Sequence, residues 1–196
     1  MIIFSYLLYY CIIIPISLLP FRVLYGFSDF LFFIFYRISG YRRKVVYMNM
    51  KNSFPHKSET ELKNLEKLFY HHLCDVIVET FKSFTISEKE IMKRMVFRNP
   101  EMLDQFYNQG RSVLLGGGHY NNWEWFAVAL DQQIKHHSYA LYTPLRNKFF
   151  DEKMRSTRGK YGLGMISIKE VVRFFKEKED ELTITVFGID QSPRNA

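Results

Sequence analysis

Apolar residues along the chain follow three patterns, and each predicts a different structure. The first is a continuous run, Ile2 to Phe21, which contains no formal charge and is long enough to cross a bilayer core. A second run, Val23 to Tyr36, is shorter and contains Asp29, which favours a position in the membrane interface. No basic region precedes the first run and no cleavage site follows it, so we interpret it as a retained anchor. The alternative is a buried helical hairpin.

The second pattern is helical spacing. Ser58 and Glu61 form a capping box that predicts the start of a long helix, and Ser87–Glu90 repeats the motif before a shorter one. Asn99, Pro100 and Gly110 delimit a further helix, and residues 95–97 are a candidate strand. The apolar face of the long helix consists of Leu62, Leu65, Phe69, Leu73, Val76, Ile77 and Phe81.

The third pattern begins at Ser112, where short apolar runs alternate with helical segments. The predicted strands are Val113–Leu115, Ser138–Tyr142, Leu163–Ile166 and Leu182–Phe187. The helices between them are Trp123–Gln133, Asn147–Arg158 and Ile168–Lys178, the last opened by a capping box of Ser167 and Glu170. Alternation of this kind predicts an α/β fold with a mostly parallel sheet and crossover helices.

Polar and turn-forming residues follow three of these strands. His119 comes after the first strand, Thr143 and Pro144 after the second, and Asp190 after the fourth. Ligands of parallel sheets gather beyond the carboxyl ends of the strands, so we expect these residues at one edge of the sheet. Asp190 is a candidate for holding a substrate or a basic residue there. The alternative is that Asp190 only forms a turn.

The turn after the first strand contains the clearest candidate chemistry. Three glycines precede His119, and Asn121 or Asn122 can cap a helix that begins near Trp123. If Glu124 lies in the first turn of that helix, its carboxylate can orient the imidazole, which could then remove a proton from a hydroxyl. The spacing alone is a weak signal, and the alternative is a loop histidine with no catalytic role.

Composition narrows the functional classes. The 196 residues are 47% hydrophobic, which fits one domain, 45–196, after a membrane anchor and interfacial segment, 1–44. The net charge of +7 favours an anionic partner. Two cysteines and six histidines show no metal-ligand spacing, so we expect no metal. The basic residues Arg37, Arg42, Arg43 and Lys44 place the domain on the cytoplasmic side of the anchor.

Several motifs together resemble a known family. They are Asn49–Pro55 (NMKNSFP), His119–Glu124 (HYNNWE), Tyr142–Asn147 (YTPLRN), Arg158–Gly162 (RGKYG) and Asp190–Pro193 (DQSP). In this order they resemble the lipid A biosynthesis acyltransferases, the lauroyl and myristoyl transferases of Gram-negative bacteria with a His-x4-Asp/Glu signature. Many relatives have Gly at the position of Asn121 and a basic residue at that of Thr143. Relatives also continue beyond Ala196, so we expect a C-terminal truncation.

The resemblance implies transfer of a fatty acyl group from acyl carrier protein to a hydroxyl of a lipid A precursor at the cell inner membrane. A thioester donor needs no cofactor and no enzyme nucleophile. The resemblance makes His119 the general base and Glu124 its orienting partner, with Arg158, Asp190 and Asn122 as substrate-binding candidates. Arg158 could bind a phosphate or the oxyanion; as an alternative, it could interact only with the helix dipole.

Other functions remain open from the sequence. The acceptor could be another glycolipid or a lysophospholipid, or water, which would make the protein a hydrolase. A non-catalytic, membrane-anchored basic module that binds anionic lipid or nucleic acid is the alternative from a different class. We expect no nucleic-acid partner, because the aromatic residues lie mostly in the anchor or on apolar helix faces.

Overall fold

The structure is a computed structural model that describes residues 2–190. Two apolar helices come first, and each contains one π-helical stretch, Leu8–Ile13 and Phe33–Ile38 respectively. The helices are α1 (Ile2–Leu18), α2 (Phe21–Ile38), α3 (Arg43–Ser53), α4 (Glu59–Lys82), α5 (Glu88–Arg94), α6 (Asp104–Asn108), α7 (Trp123–Ala129), α8 (Lys148–Arg158) and α9 (Val171–Glu177). The strands are β1 (Val113–Gly117), β2 (His137–Tyr142), β3 (Gly164–Ser167) and β4 (Thr183–Gly188). Short 3₁₀ helices span Pro100–Leu103 and Asp131–Gln133.

The four strands form one parallel sheet in the order β1-β4-β2-β3. The predicted α/β fold with a parallel sheet is therefore confirmed. The last strand inserts between β1 and β2, with Gly117 opposite Gly188 and Ser138 opposite Ile184. As a result, the chain leaves β1 and β4 at neighbouring points on one edge of the sheet.

The long helix α4 begins as predicted. Ser58 accepts a hydrogen bond from the Glu61 backbone N–H, and the Glu61 carboxylate accepts one from the Ser58 N–H. Helix α4 packs against α2 through a buried cluster of Phe32, Tyr70 and Cys74. Helix α4 also contacts α7 through a hydrogen bond from Trp125 to Glu79, so it connects the N-terminal helices to the helix that follows β1.

The predicted continuous anchor from Ile2 to Phe21 is interrupted. Helix α1 ends at Leu18, because Pro20 has no backbone N–H and disfavours the helical conformation in Leu19. Among residues 2–190, no single helix is both long and apolar enough to cross a membrane. Helices α1 and α2 reach that length and composition only as a pair, with a bend of 119° between them.

Side chains of α4 and the following loop complete the bend. The Lys82 ammonium donates hydrogen bonds to the carbonyl oxygens of Ser17 and Leu19, at 2.9 and 2.8 Å, and the Thr85 hydroxyl donates a third to Ser17 at 2.6 Å. Carbonyl groups at a helix end lack partners within the helix. Lys82 and Thr85 supply hydrogen-bond donors to these carbonyl groups, so tertiary contacts stabilise the bend.

Two other local predictions are wrong. Residues 95–97 form no strand, because Met95 closes helix α5 and Phe97 donates its backbone N–H to Gln133 at 3.0 Å. Ser167 does not cap the last helix either. It ends strand β3, and α9 begins only after Glu170.

Candidate active site

The turn after β1 has the geometry that its residues favour. Asn122 caps α7, with its side-chain oxygen accepting a hydrogen bond from the Trp125 N–H at 3.0 Å. Asn121 has a φ of 54°, in the left-handed region that asparagine tolerates better than most residues. An asparagine at position 121 is therefore compatible with the turn.

Asp190 holds His119 at two points. One carboxylate oxygen, Oδ1, lies 2.8 Å from His119 Nδ1, and the other accepts the His119 backbone N–H at 2.8 Å. These bonds lower the pKa of the Asp190 carboxyl below its usual value, so it is ionised at neutral pH. An ionised carboxylate at Nδ1 favours the tautomer with the proton on Nδ1, which leaves Nε2 free to accept a proton.

Gly188 makes room for the imidazole. A Cβ added at Gly188 would lie 3.2 Å from His119 Cε1, a tight contact, whereas one at Gly118 would only touch Asp190 at 3.5 Å. Trp123 closes another side of the ring, with its centroid 5.4 Å from that of the imidazole in an edge-on arrangement. The imidazole is therefore confined while its side chain stays 39% exposed.

The predicted contact between Glu124 and His119 is replaced by two separate pairs. Glu124 is buried in the first turn of α7, where both its oxygens accept hydrogen bonds from Arg158, at 2.8 Å from Nε and 2.6 Å from a terminal nitrogen. The physical reason is the placement of Arg158 in the last turn of α8, within reach of that carboxylate. The carboxylate that orients His119 is thus that of Asp190, which the sequence predicts as a substrate-binding residue.

The Glu124–Arg158 pair is well satisfied for a buried ion pair. Burial works against the charge of Arg158, but the two hydrogen bonds and the negative charge of Glu124 outweigh it and raise the pKa of the guanidinium. A guanidinium has five N–H donors, and the pair uses two of its nitrogens. Arg158 also lines the cleft described next, so its remaining donors are available to a ligand there.

His119 and Arg158 border a cleft of about 1050 Å³ at the carboxyl edge of the sheet. Thr143, from the loop after β2, lies on the same cleft. Three of the expected features thus meet at one edge: His119, Thr143 and, through its hydrogen bonds to His119, Asp190. Most of the remaining wall is apolar and includes Met95, Phe97, Phe126, Leu130, Leu163 and Met165. A cleft with a few polar groups at one place and apolar walls elsewhere suits a long hydrocarbon chain with a reactive end.

Asn122, predicted to bind substrate, has both ends of its amide occupied by the protein. Its side-chain nitrogen donates to Glu79 at 2.7 Å, while its oxygen caps α7, and only 3% of the residue is exposed. Glu79 also accepts the Tyr25 hydroxyl at 2.7 Å. No sequence motif marks Glu79 or Tyr25, because Glu79 lies within a helical run and Tyr25 within the apolar segment.

No group of three or more histidine, cysteine, aspartate or glutamate side chains in residues 2–190 is arranged to hold a metal ion. His136 is buried, its Nε2 lies 3.0 Å from the Arg111 carbonyl oxygen, and it does not line the cleft. The cleft wall carries the imidazole of His119, the carboxylate of Asp151 and the guanidinium groups of Arg155 and Arg158. Asp190 and Glu124 hydrogen-bond to His119 and Arg158, respectively.

Comparison with known proteins identifies the family. The family model described as bacterial lipid A biosynthesis acyltransferase matches residues 1–185, which is nearly the whole chain. A search of curated proteins gives no match. The matched region contains β1, α7 and α8, and with them His119, Glu124 and Arg158.

Proposed function

The chain belongs to the bacterial lipid A biosynthesis acyltransferase family, and from that premise we propose that it transfers a fatty acyl group from acyl carrier protein to a hydroxyl of a lipid A precursor. The observation that carries the proposal is the His119–Asp190 pair at the mouth of a largely apolar cleft. Acyl transfer to an alcohol needs an oriented base to accept the hydroxyl proton and an apolar cleft to hold the acyl chain.

In the proposed reaction, His119 acts as the general base. Its Nε2 takes the proton of the acceptor hydroxyl while the alcohol oxygen attacks the thioester carbonyl. The tetrahedral intermediate then collapses, the carbon–sulfur bond breaks, and the leaving thiolate takes the proton from the imidazolium. Asp190 fixes the tautomer of the imidazole and stabilises its charged form.

Arg158 supplies positive charge for the oxyanion of that intermediate or for a phosphate of the acceptor. Its two bonds to Glu124 fix the plane of the guanidinium, so its other N–H groups have a defined direction. Glu124 therefore contributes by holding Arg158. Backbone N–H groups near Gly117 and Gly118, which line the same cleft, are further candidate donors.

We also propose that the protein works at the cell inner membrane with its catalytic domain on the cytoplasmic face, where acyl carrier protein is present. Two features support this location. Helices α1 and α2 expose large apolar side chains, and basic residues lie at the end of α2 and just after it: Arg37, Arg42, Arg43 and Lys44.

The proposal is tested by transfer assays with purified protein in lipid vesicles. The substrates are acyl carrier protein loaded with different fatty acids, and one of three acceptors: a lipid A precursor, a lysophospholipid or water alone. The His119→Ala variant is expected to lower kcat by about 10² to 10⁴-fold, because it removes the base. The exposed His56→Ala serves as the control and should match the unsubstituted protein.

The acceptors separate the candidate functions. Acyl transfer to the lipid A precursor that depends on His119 supports the proposal. Release of free fatty acid at full rate without any acceptor would show a hydrolase, and a folded His119→Ala protein with unchanged transfer would refute the assigned base.

A further inference from the structure

Glu79 lies in α4, outside every motif noted in the sequence, and its carboxylate connects two distant parts of the chain. Oxygen Oε1 accepts the hydroxyl of Tyr25 from α2, and Oε2 accepts the side-chain N–H of Asn122, each at 2.7 Å. The Glu79 carbonyl oxygen accepts a further bond from the Trp125 indole at 3.0 Å. One residue thus joins an apolar N-terminal helix to the turn that carries His119.

We propose that Glu79 is a positioning residue for the reaction. It fixes Asn122, and through Asn122 the start of α7 and the turn with His119, against the N-terminal helices. The inference rests on the proposed function, because the reaction it affects is the proposed acyl transfer.

The hydrogen-bond arrangement leaves little freedom for Asn122. Its nitrogen faces a carboxylate, which can only accept, and its oxygen faces the Trp125 N–H, which can only donate. The amide is therefore locked in one orientation. Glu124 comes two residues after Asn122, in the first turn of α7. The hydrogen bonds of Asn122 therefore also fix the turn from which Glu124 holds Arg158.

The hydrogen bond from Tyr25 to Glu79 connects α2 to this fixed arrangement of Asn122. Tyr25 lies on α2, which follows the bend held by Lys82 and Thr85 and exposes apolar side chains. Displacement of α2 would remove one of the two donors to Glu79 and free its carboxylate to move. The position of the N-terminal helices is thereby coupled to the geometry of the reacting groups.

The test exchanges the amide and the carboxylate between positions 122 and 79. Asn122→Asp places a second carboxylate against Glu79, and two ionised carboxylates at this distance repel. Glu79→Gln in the same chain supplies an amide N–H for the new carboxylate at position 122 and keeps an oxygen for Tyr25. In the double variant every donor again faces an acceptor, including the Trp125 N–H.

We expect Asn122→Asp to lower kcat about tenfold or more while KM for the acyl donor stays within about twofold. The double variant should regain kcat to within about threefold of the unsubstituted protein. Kinetics are measured in lipid vesicles, with thermal unfolding recorded for each variant. A double variant no faster than Asn122→Asp, or a folded Asn122→Asp with unchanged kcat, would overturn the inference.

If Asn122→Asp does not fold, the inference is tested by comparing kcat of two variants, each of which removes one tyrosine hydroxyl. Tyr25→Phe removes one donor to Glu79 and should lower kcat about threefold. Tyr70→Phe removes a hydroxyl from the same long helix, one that bonds the Tyr41 carbonyl, and should change stability but not kcat. Equal kcat for the two variants would overturn the inference. Absence of acyl transfer by the unsubstituted protein would instead refute the proposed function, so the two failures are distinguishable.

Discussion

The imidazole of His119 can serve as a base only if one nitrogen is free of a proton, and its tautomer is set by Asp190. The carboxylate accepts from Nδ1 and from the backbone N–H of the same residue, so it controls both the ring and the chain that carries it. In a neutral imidazole with the proton on Nδ1, Nε2 is the acceptor. Asp190, two residues beyond β4, thus orients the imidazole two residues beyond β1.

Asp190→Asn should lower kcat by about 10² to 10⁴-fold, because the carboxamide can place an N–H against Nδ1 and select the wrong tautomer. The amide oxygen can still accept the His119 backbone N–H, so we expect the fold to persist. Steady-state kinetics and thermal unfolding together check this expectation. The exposed Asp180→Asn, in the turn before β4, is the control for loss of one negative charge. Retention of half the activity by Asp190→Asn would contradict the assignment.

At the scale of elements, the Arg158–Gly162 motif ties the end of α8 to the end of α4. Lys160 donates hydrogen bonds to the carbonyl oxygens of Ser83 and Ile86, at 2.7 and 2.8 Å, and the Tyr161 hydroxyl donates to Ile86 at 2.8 Å. Burial lowers the pKa of Lys160 to about 8. Two loop carbonyls therefore depend on a side chain that gives up its proton in mildly alkaline solution.

This pKa predicts an alkaline pH dependence of stability. An unfolded lysine titrates near pH 10.4, so between about pH 8 and that value the unfolded chain binds a proton that the folded chain lacks. The contribution of Lys160 to the free energy of unfolding should therefore increase with pH across this window. The neutral amine still donates both hydrogen bonds there.

Urea unfolding of the unsubstituted protein and Lys160→Met, at about pH 7.5 and about pH 10, measures this contribution. We expect the stability difference between the two proteins to be larger at the higher pH. Lys169→Met, at an exposed lysine, should show no such change. Equal differences for Lys160→Met at both pH values would show that the ammonium is not desolvated in the folded protein.

The sequence predicts local structure better than contacts between distant segments. Alternating strands and helices, the Ser58 capping box and the Asn122 cap follow from neighbouring residues, and the structure has all of them. The pairing of His119 with Asp190 depends on β4 lying beside β1, which no local pattern specifies. The sequence therefore favours the nearby Glu124 as the partner of His119, whereas the structure places the distant Asp190 against the imidazole.

In the N-terminal helices, too, contacts between distant segments are not predicted by the local sequence. Hydropathy predicts an apolar segment of spanning length, but the bend depends on Pro20 together with Lys82 and Thr85 from elsewhere in the fold. The bent pair presents Ile3, Phe4, Leu7, Leu18, Phe30 and Phe33 to the surroundings, each more than half exposed. Apolar side chains on this scale are costly in water and favourable in a lipid interface.

We expect the protein to bind vesicles that contain anionic phospholipid, and to bind them less tightly as salt is raised, because basic residues accompany the apolar ones. Phe30 and Phe33 lie three residues apart on α2, and burial of both in lipid should provide much of the affinity. The double change Phe30→Gln and Phe33→Gln should weaken vesicle partitioning about tenfold or more in a sedimentation assay. Leu68→Gln, at a residue 64% exposed on α4, provides the control and should leave partitioning unchanged. If the two proteins lose affinity equally, the bent helices do not form the lipid-binding surface.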